Sequence, residues 1–114
     1  MGNDTSYTPK NGMETSSIPN DITKIFEKGK VFMFSKSYCP FCVQVKKVFD
    51  DLGIKYDYIE CDEKPLNSGQ LQKLKQLSGI STYPNIFIGT KSVGGCSELK
   101  ALKSNGKLKG ILSE

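Results

Sequence analysis

The chain has 114 residues, 37% hydrophobic and 25% charged, with no apolar run near the ~18 residues of a membrane span, and reads as a soluble domain able to bury a core without staples. Its net charge of +4 comes from sixteen lysines and no arginine, spread without a dense basic block, which argues against a nucleic-acid surface built on bidentate arginine forks. The absence of histidine removes every Ser-His or Cys-His nucleophile.

Residues 1–17 are polar, rich in Ser, Thr, Asn and Gly, and are expected to form a flexible N-terminal tail ahead of a domain spanning 18–114. Ile22, Ile25 and Phe26 fall at helical spacing and Gly29 suits a C-terminal cap, predicting a short first helix. "KVFMFS" has the form of a buried strand. Residues 40–52 then place Val43, Val45, Val48, Phe49 and Leu52 on one side of a helix that stops at Gly53. "IKYDYIEC" alternates as a second strand, and "SGQLQKLKQLSG" reads as a second major helix. "PNIFIG" and "KSVGG" read as two short strands, and "SELKALKSNGKLKGIL" as a closing helix. A βαβ unit demands parallel strands, while the Gly89-Thr90 turn allows an antiparallel hairpin. The expected fold is therefore α/β, with a mixed four-stranded sheet flanked by helices on both faces.

Cysteines stand at 39, 42, 61 and 96, and no h-region of a secretory signal occurs in residues 1–20, so a reducing, cytoplasmic setting is expected. The Cys39-Pro40-Phe41-Cys42 run admits three readings: a disulfide staple, a metal site or a redox centre. A four-cysteine zinc site would need a second closely spaced pair, which is missing, and a structural disulfide does not suit a reducing compartment. The spacing favours redox chemistry. With Cys39 capping the helix, Pro40 falls at the first helical position, where its missing N–H costs nothing. The Cys39 sulfur then faces unpaired backbone N–H groups and the positive end of the helix, which favour thiolate over thiol, and Lys36 adds to that field. Cys42 lies one turn on, near enough to close a disulfide and further from solvent.

"KSYCPFC", "STYPNIFIG" and "SVGGCSELKAL" together resemble the active-site motif, the Thr-x-Pro loop and the Gly-Gly-Cys-Ser helix start of dithiol glutaredoxins, in the family's order and at about its spacing, over roughly residues 18–112. The Trp-Cys-Gly-Pro-Cys site of the related thioredoxins is not present. The resemblance implies a thioredoxin-like fold and a cis Pro84 facing Cys39. It implies glutathione as the reducing co-substrate, with no metal, and catalysis by Cys39 and Cys42. Lys36 would meet the glycyl carboxylate, and Tyr38, Phe41 and Thr82 would flank the tripeptide. The Tyr83 backbone would pair with its cysteinyl part beside Pro84, and Gly95, Cys96 and Ser97 would receive the γ-glutamyl carboxylate. Tyr83 stands where the family usually has Val, Phe41 where Tyr is more usual, and Glu98 where Asp is common. A family glutamine on the second major helix also meets the glycyl carboxylate. Gln72 is the candidate, although the ungapped register places Leu71 there.

The implied partners are glutathione, glutathionylated or disulfide-containing proteins and, indirectly, glutathione reductase with NADPH. The protein is expected to be a monomer that binds no nucleic acid. A rival reading is a [2Fe–2S] carrier in which Cys39 and glutathione hold the cluster, and Pro40 weighs against it. The start "MGNDTS" fits the pattern for N-myristoylation, so a weak membrane association is expected only if Gly2 is acylated.

Overall fold

The computed structural model describes residues 7–113. Ten elements follow in order: β1 (Gly12–Glu14), a 3-10 helix (Ile22–Ile25), β2 (Val31–Ser35), α1 (Pro40–Asp51), β3 (Tyr56–Glu60), α2 (Ser68–Ser78), β4 (Asn85–Ile88), β5 (Lys91–Gly94), α3 (Cys96–Ser104) and α4 (Leu108–Ser113). The strands form one sheet in the order β1-β3-β2-β4-β5. β3 runs parallel to both β1 and β2, while β4 is antiparallel to β2 and β5. This is the expected α/β architecture with a mixed sheet, but with five strands rather than four.

The central strand β2 is buried along its whole length because both faces of the sheet are covered. Its side chains alternate between two cores. Val31 and Met33 join Val45 and Phe49 of α1, Tyr56 and Tyr58 of β3, Ile86 and Ile88 of β4, and Leu99 of α3. Phe32 and Phe34 join Ile22, Ile59, Leu66, Leu74 of α2 and Phe87 on the opposite face. Full burial of side chains such as Phe34, Phe49 and Phe87 is worth roughly 1.5–3 kcal/mol each. The two cores fix the register of β2 against β3, since a one-residue slip would exchange the faces of every side chain.

The fifth strand lies inside the segment expected to be a tail, which corrects that expectation for residues 12–14. Asp50, near the end of α1, accepts hydrogen bonds from the Lys10 and Asn11 backbone N–H groups at 3.0 and 2.8 Å and from the Tyr7 hydroxyl. The chain then pairs with the open edge of β3, where Thr15 N–H donates to the Tyr58 carbonyl at 2.7 Å. Gly12 is required there, because a Cβ would lie 2.6 Å from the Tyr56 ring. The segment is held by backbone pairing, by the Asp50 carboxylate and by an ion pair between Glu14 and Lys64 at 3.0 Å, so it carries no apolar periodicity to read. The acylation motif at Gly2 lies outside the described residues.

Two helices also differ from expectation. The first is a single 3-10 turn, started by Asp21, whose side chain accepts from Thr23 N–H. The closing helix divides into α3 and α4 at Asn105, whose side chain accepts from Lys107 N–H at 3.0 Å and so offers the backbone an alternative to the helical ladder. α2 begins with a reciprocal capping box in which Asn67 and Gln70 satisfy each other's backbone N–H groups.

Candidate active site

β2 ends at Ser35, and the chain turns through Lys36, Ser37 and Tyr38 into α1. Asp62 holds this turn by accepting from Ser37 N–H at 2.9 Å and from the Ser37 hydroxyl. Cys39 occupies the N-cap of α1 with Pro40 at the first helical position. The Cys39 sulfur accepts a hydrogen bond from Cys42 N–H at 3.4 Å, as expected of a side chain at a helix N-terminus. As a thiol it donates to the carbonyl of Tyr83 at 3.8 Å. The Tyr83-Pro84 peptide bond is cis.

All four cysteines are thiols. Cys39 is partly exposed and Cys42 fully buried, so the two members of the pair differ in access as the sequence implied. Burial pushes the Cys42 thiol up to about 12, against the Lys36 backbone, which favours the thiolate. Cys61 packs in the core on the α2 side and is pushed up to about 11 by burial. Cys96 is buried at the start of α3, 3.7 Å from the Gln44 side-chain oxygen, and burial also raises its thiol. Among the described residues no group of three or more His, Cys, Asp or Glu side chains is placed to hold a metal ion.

Tyr83 does more than line the surface. Its carbonyl faces Cys39, its hydroxyl lies beside the Cys61 thiol, and burial raises that hydroxyl to about 12. The Lys36 ammonium lies 4.8 Å from the centre of the Tyr83 ring and 5.9 Å from that of Tyr38. Tyr38 and Phe41, which flank Cys39-Pro40 in the chain, are 57% and 58% exposed.

A cleft of about 400 Å³ continues from Tyr83 along α2, lined among others by Leu71, Gln72, Ile80 and Thr82. It brings Gln72 and Leu71 into one groove with the Thr82-Tyr83 loop. The neighbouring Gln70, by contrast, is buried and spends its amide on the carbonyls of Ile18 and Pro19 at 3.1 and 2.9 Å.

On the other side, Gly95, Cys96 and Ser97 form the start of α3. Gly95 sits against the proline loop so closely that a Cβ would lie 3.3 Å from the Pro84 carbonyl. Its N–H donates to Glu98 Oε1 at 2.9 Å, so Glu98 caps its own helix. Of the expected site residues, Lys36 and Tyr83 contact Cys39 through their carbonyls, the start of α3 packs against Pro84, and Gln72 lies further along the cleft past Tyr83.

A glutaredoxin family model matches residues 31–93, which span β2 to β5 and include both cysteines of the pair. The chain belongs to the glutaredoxin family. Among its relatives, glutaredoxin-C6 of Oryza sativa subsp. japonica is 45% identical over 84 residues, covering 74% of this chain and 75% of that protein. A glutaredoxin of Ricinus communis is 41% identical over 91 residues, covering 80% and 89%. Among solved structures, a buckwheat glutaredoxin–glutathione complex superposes with a TM-score of 0.71 at 36% identity, covering 82% of this chain and 83% of that one. Membership places the chain among the thioredoxin-like thiol oxidoreductases.

Proposed function

We propose that this glutaredoxin uses glutathione to reduce glutathione mixed disulfides and protein disulfides through Cys39 and Cys42. The observation that carries the reading is the contrast within the pair. Cys39 holds its sulfur at a helix N-terminus, partly open to solvent, and Cys42 is buried one turn behind it. The glutathione bound in the buckwheat relative supports the choice of co-substrate.

In the one-thiol reaction the Cys39 thiolate attacks the glutathione sulfur of a glutathionylated protein. The protein thiolate leaves and takes a proton from solvent. A second glutathione, as thiolate, then attacks the sulfur held on Cys39, releasing glutathione disulfide and restoring the Cys39 thiolate. With a protein disulfide, Cys39 forms a mixed disulfide and Cys42 attacks Cys39 to expel the second protein thiol. Two glutathiones reduce the resulting Cys39–Cys42 bond. Lys36 and the cleft past Thr82 suit the glycyl end of glutathione, and the start of α3 suits the γ-glutamyl carboxylate. The Tyr83 backbone, beside the Cys39 sulfur, suits its cysteinyl part.

The test is reduction of a glutathionylated peptide by the purified protein, coupled to glutathione reductase and NADPH. Rapid turnover that depends on glutathione is expected. A folded, reduced sample with no turnover would contradict the proposal.

A further inference from the structure

Glu60 and Asp62, two residues apart, are one buried and one exposed carboxylate. Ser35 lies opposite Glu60 in the parallel register of β2 and β3, and Glu60 turns inward to an ion pair with Lys46 of α1 at 2.6 Å. Beyond Glu60 the chain reverses, with the N–H groups of Glu63 and Lys64 donating to the Glu60 carbonyl at 3.1 and 2.9 Å, and this turn carries Asp62 to the surface. Cys61 N–H donates to the Ser35 carbonyl at 2.8 Å, which keeps the segment after β3 beside the segment after β2. Asp62 uses both carboxylate oxygens there. Oδ1 accepts from Ser37 N–H at 2.9 Å and Oδ2 from the Ser37 hydroxyl at 2.5 Å. Hydrogen bonds to a charged acceptor are about twice as strong as neutral ones.

Ser37 sits between the two groups that glutathione has to reach together. Lys36, before it, is assigned to the glycyl carboxylate, and Cys39, two residues after it, attacks the sulfur. The Lys36 carbonyl accepts from Cys39 N–H at 3.1 Å, so the turn closes on itself over Ser37 and Tyr38. It has no fully buried side chain of its own to hold it: Lys36, Ser37 and Cys39 are half-buried and Tyr38 is exposed. A tripeptide of fixed length meets an ammonium and a sulfur at once only when their separation is set, and a misplacement of about 1 Å can cost about a hundredfold in rate. The turn sets that separation, and its brace comes from a carboxylate 25 residues along the chain.

Resting on the exchange reading above, we propose that Asp62 is a positioning residue for that reaction: by bridging the N–H and the hydroxyl of Ser37 it fixes the spacing between the Lys36 ammonium and the Cys39 sulfur, and with it the fit to the glutathionyl group of the substrate. It acts through Ser37 rather than on the thiol itself. Partial burial pushes the Asp62 carboxyl up, but the hydrogen bonds from the Ser37 hydroxyl and N–H outweigh this and hold it below the usual carboxylate range, so the brace is ionised at neutral pH. Charge and brace predict opposite signs. As a bare negative charge next to Lys36, Asp62 would weaken an anion site, and its removal would speed the reaction of an anionic substrate. As a brace it strengthens that site, and its removal slows the reaction.

The test measures kcat/KM for a glutathionylated peptide and for the same peptide carrying the glycyl ethyl ester of glutathione, which presents the same disulfide without the glycyl charge. Release of the peptide thiol is followed directly, with glutathione as reductant. Asp62→Ala is expected to lower kcat/KM for the glutathionylated peptide about tenfold, the size of one lost hydrogen bond to a charged group, and for the ester by no more than about twofold. Ser37→Ala, which removes one of the two bonds, should lower it about threefold with the same preference, and the double variant should be no worse than Asp62→Ala, since both changes break one brace. Asp62 is exposed and Ser37→Ala removes a single oxygen, so the answer does not depend on a variant that fails to fold. An unchanged or raised kcat/KM in Asp62→Ala, equal losses on peptide and ester, or losses that multiply in the double variant would overturn the proposal. No turnover of either substrate by folded, reduced wild type would instead overturn the exchange reading on which it rests, and the proposal with it.

Discussion

The Lys36 ammonium rests 4.8 Å from the centre of the Tyr83 ring, and the carbonyl of the same tyrosine accepts from the Cys39 sulfur at 3.8 Å. One residue of the proline loop therefore touches both the reactive thiol and the cation assigned to the glycyl carboxylate. To reach a carboxylate in the groove, Lys36 has to give up part of its contact with the ring. A cation–π contact at a partly exposed site is worth about 0.5–1 kcal/mol. Tyr83→Val is accordingly expected to lower the KM for glutathione by about two- to fivefold with kcat little changed. Steady-state kinetics against glutathione would check this, and an unchanged or higher KM would show that Tyr83 does not restrain Lys36.

The N-terminal segment hangs on Asp50. Partial burial pushes its carboxyl up, but the hydrogen bonds from the Tyr7 hydroxyl and from the Lys10 and Asn11 N–H groups outweigh this and hold it below the usual carboxylate range. A carboxyl depressed in the fold contributes stability that is full above its unfolded value near 3.8 and is lost as pH falls through the lower folded value. Asp50→Ala should cost about 1–2 kcal/mol by denaturant unfolding at neutral pH. It should also speed amide exchange at Thr15 while leaving glutathione-dependent turnover intact.

The buried thiols predict the opposite pH response. Cys42 and Cys61 are raised by burial to about 12 and about 11 from an ordinary value of 9.0. A raised folded value contributes stability that is complete below the unfolded value and is lost as pH rises through the folded one. The protein should therefore lose stability progressively above pH about 9, as measured by the urea midpoint against pH. Iodoacetamide at neutral pH should label Cys39 rapidly and leave Cys42 and Cys61 unmodified in the native state, which peptide mass mapping would check.

Lys46→Met alone leaves the Glu60 carboxylate buried without its partner, and such a break costs about 3–5 kcal/mol. The double change Lys46→Met/Glu60→Gln removes both charges and should cost clearly less than Lys46→Met. Urea unfolding of the two variants and wild type would show the difference. Equal losses would mean that the pair's charges are not coupled.

The parts of the fold that follow from local pattern were legible in the sequence. β2 announces itself as an unbroken apolar run because two cores claim its alternate faces. Cys39 and Pro40 mark the start of α1 because a cap and a first-turn proline have narrow backbone requirements. What the sequence hid is held together by partners far along the chain. β1 depends on Asp50 and on the open edge of β3, and no periodicity records either. Gln70 was overlooked because its amide reaches the carbonyls of Ile18 and Pro19, about fifty residues away. The Ser35–Glu60 juxtaposition exists only through strand register, and Lys46 reads as one more solvated lysine until α1 is seen to turn it inward. At the site, the sulfur pair and the proline loop were legible, while the second contacts of Tyr83, with Lys36 and Cys61, required the packed loop.

The central claim is that Cys39 performs the exchange and Cys42 serves only to resolve it. The most direct measurement compares Cys39→Ser and Cys42→Ser with wild type in glutathione-dependent reduction of a glutathionylated peptide and of a protein disulfide. The account predicts that Cys39→Ser loses essentially all activity on both substrates, and that Cys42→Ser still turns over the glutathionylated peptide but is impaired on the protein disulfide. Activity surviving in Cys39→Ser, or lost from Cys42→Ser on the glutathionylated peptide, would contradict it.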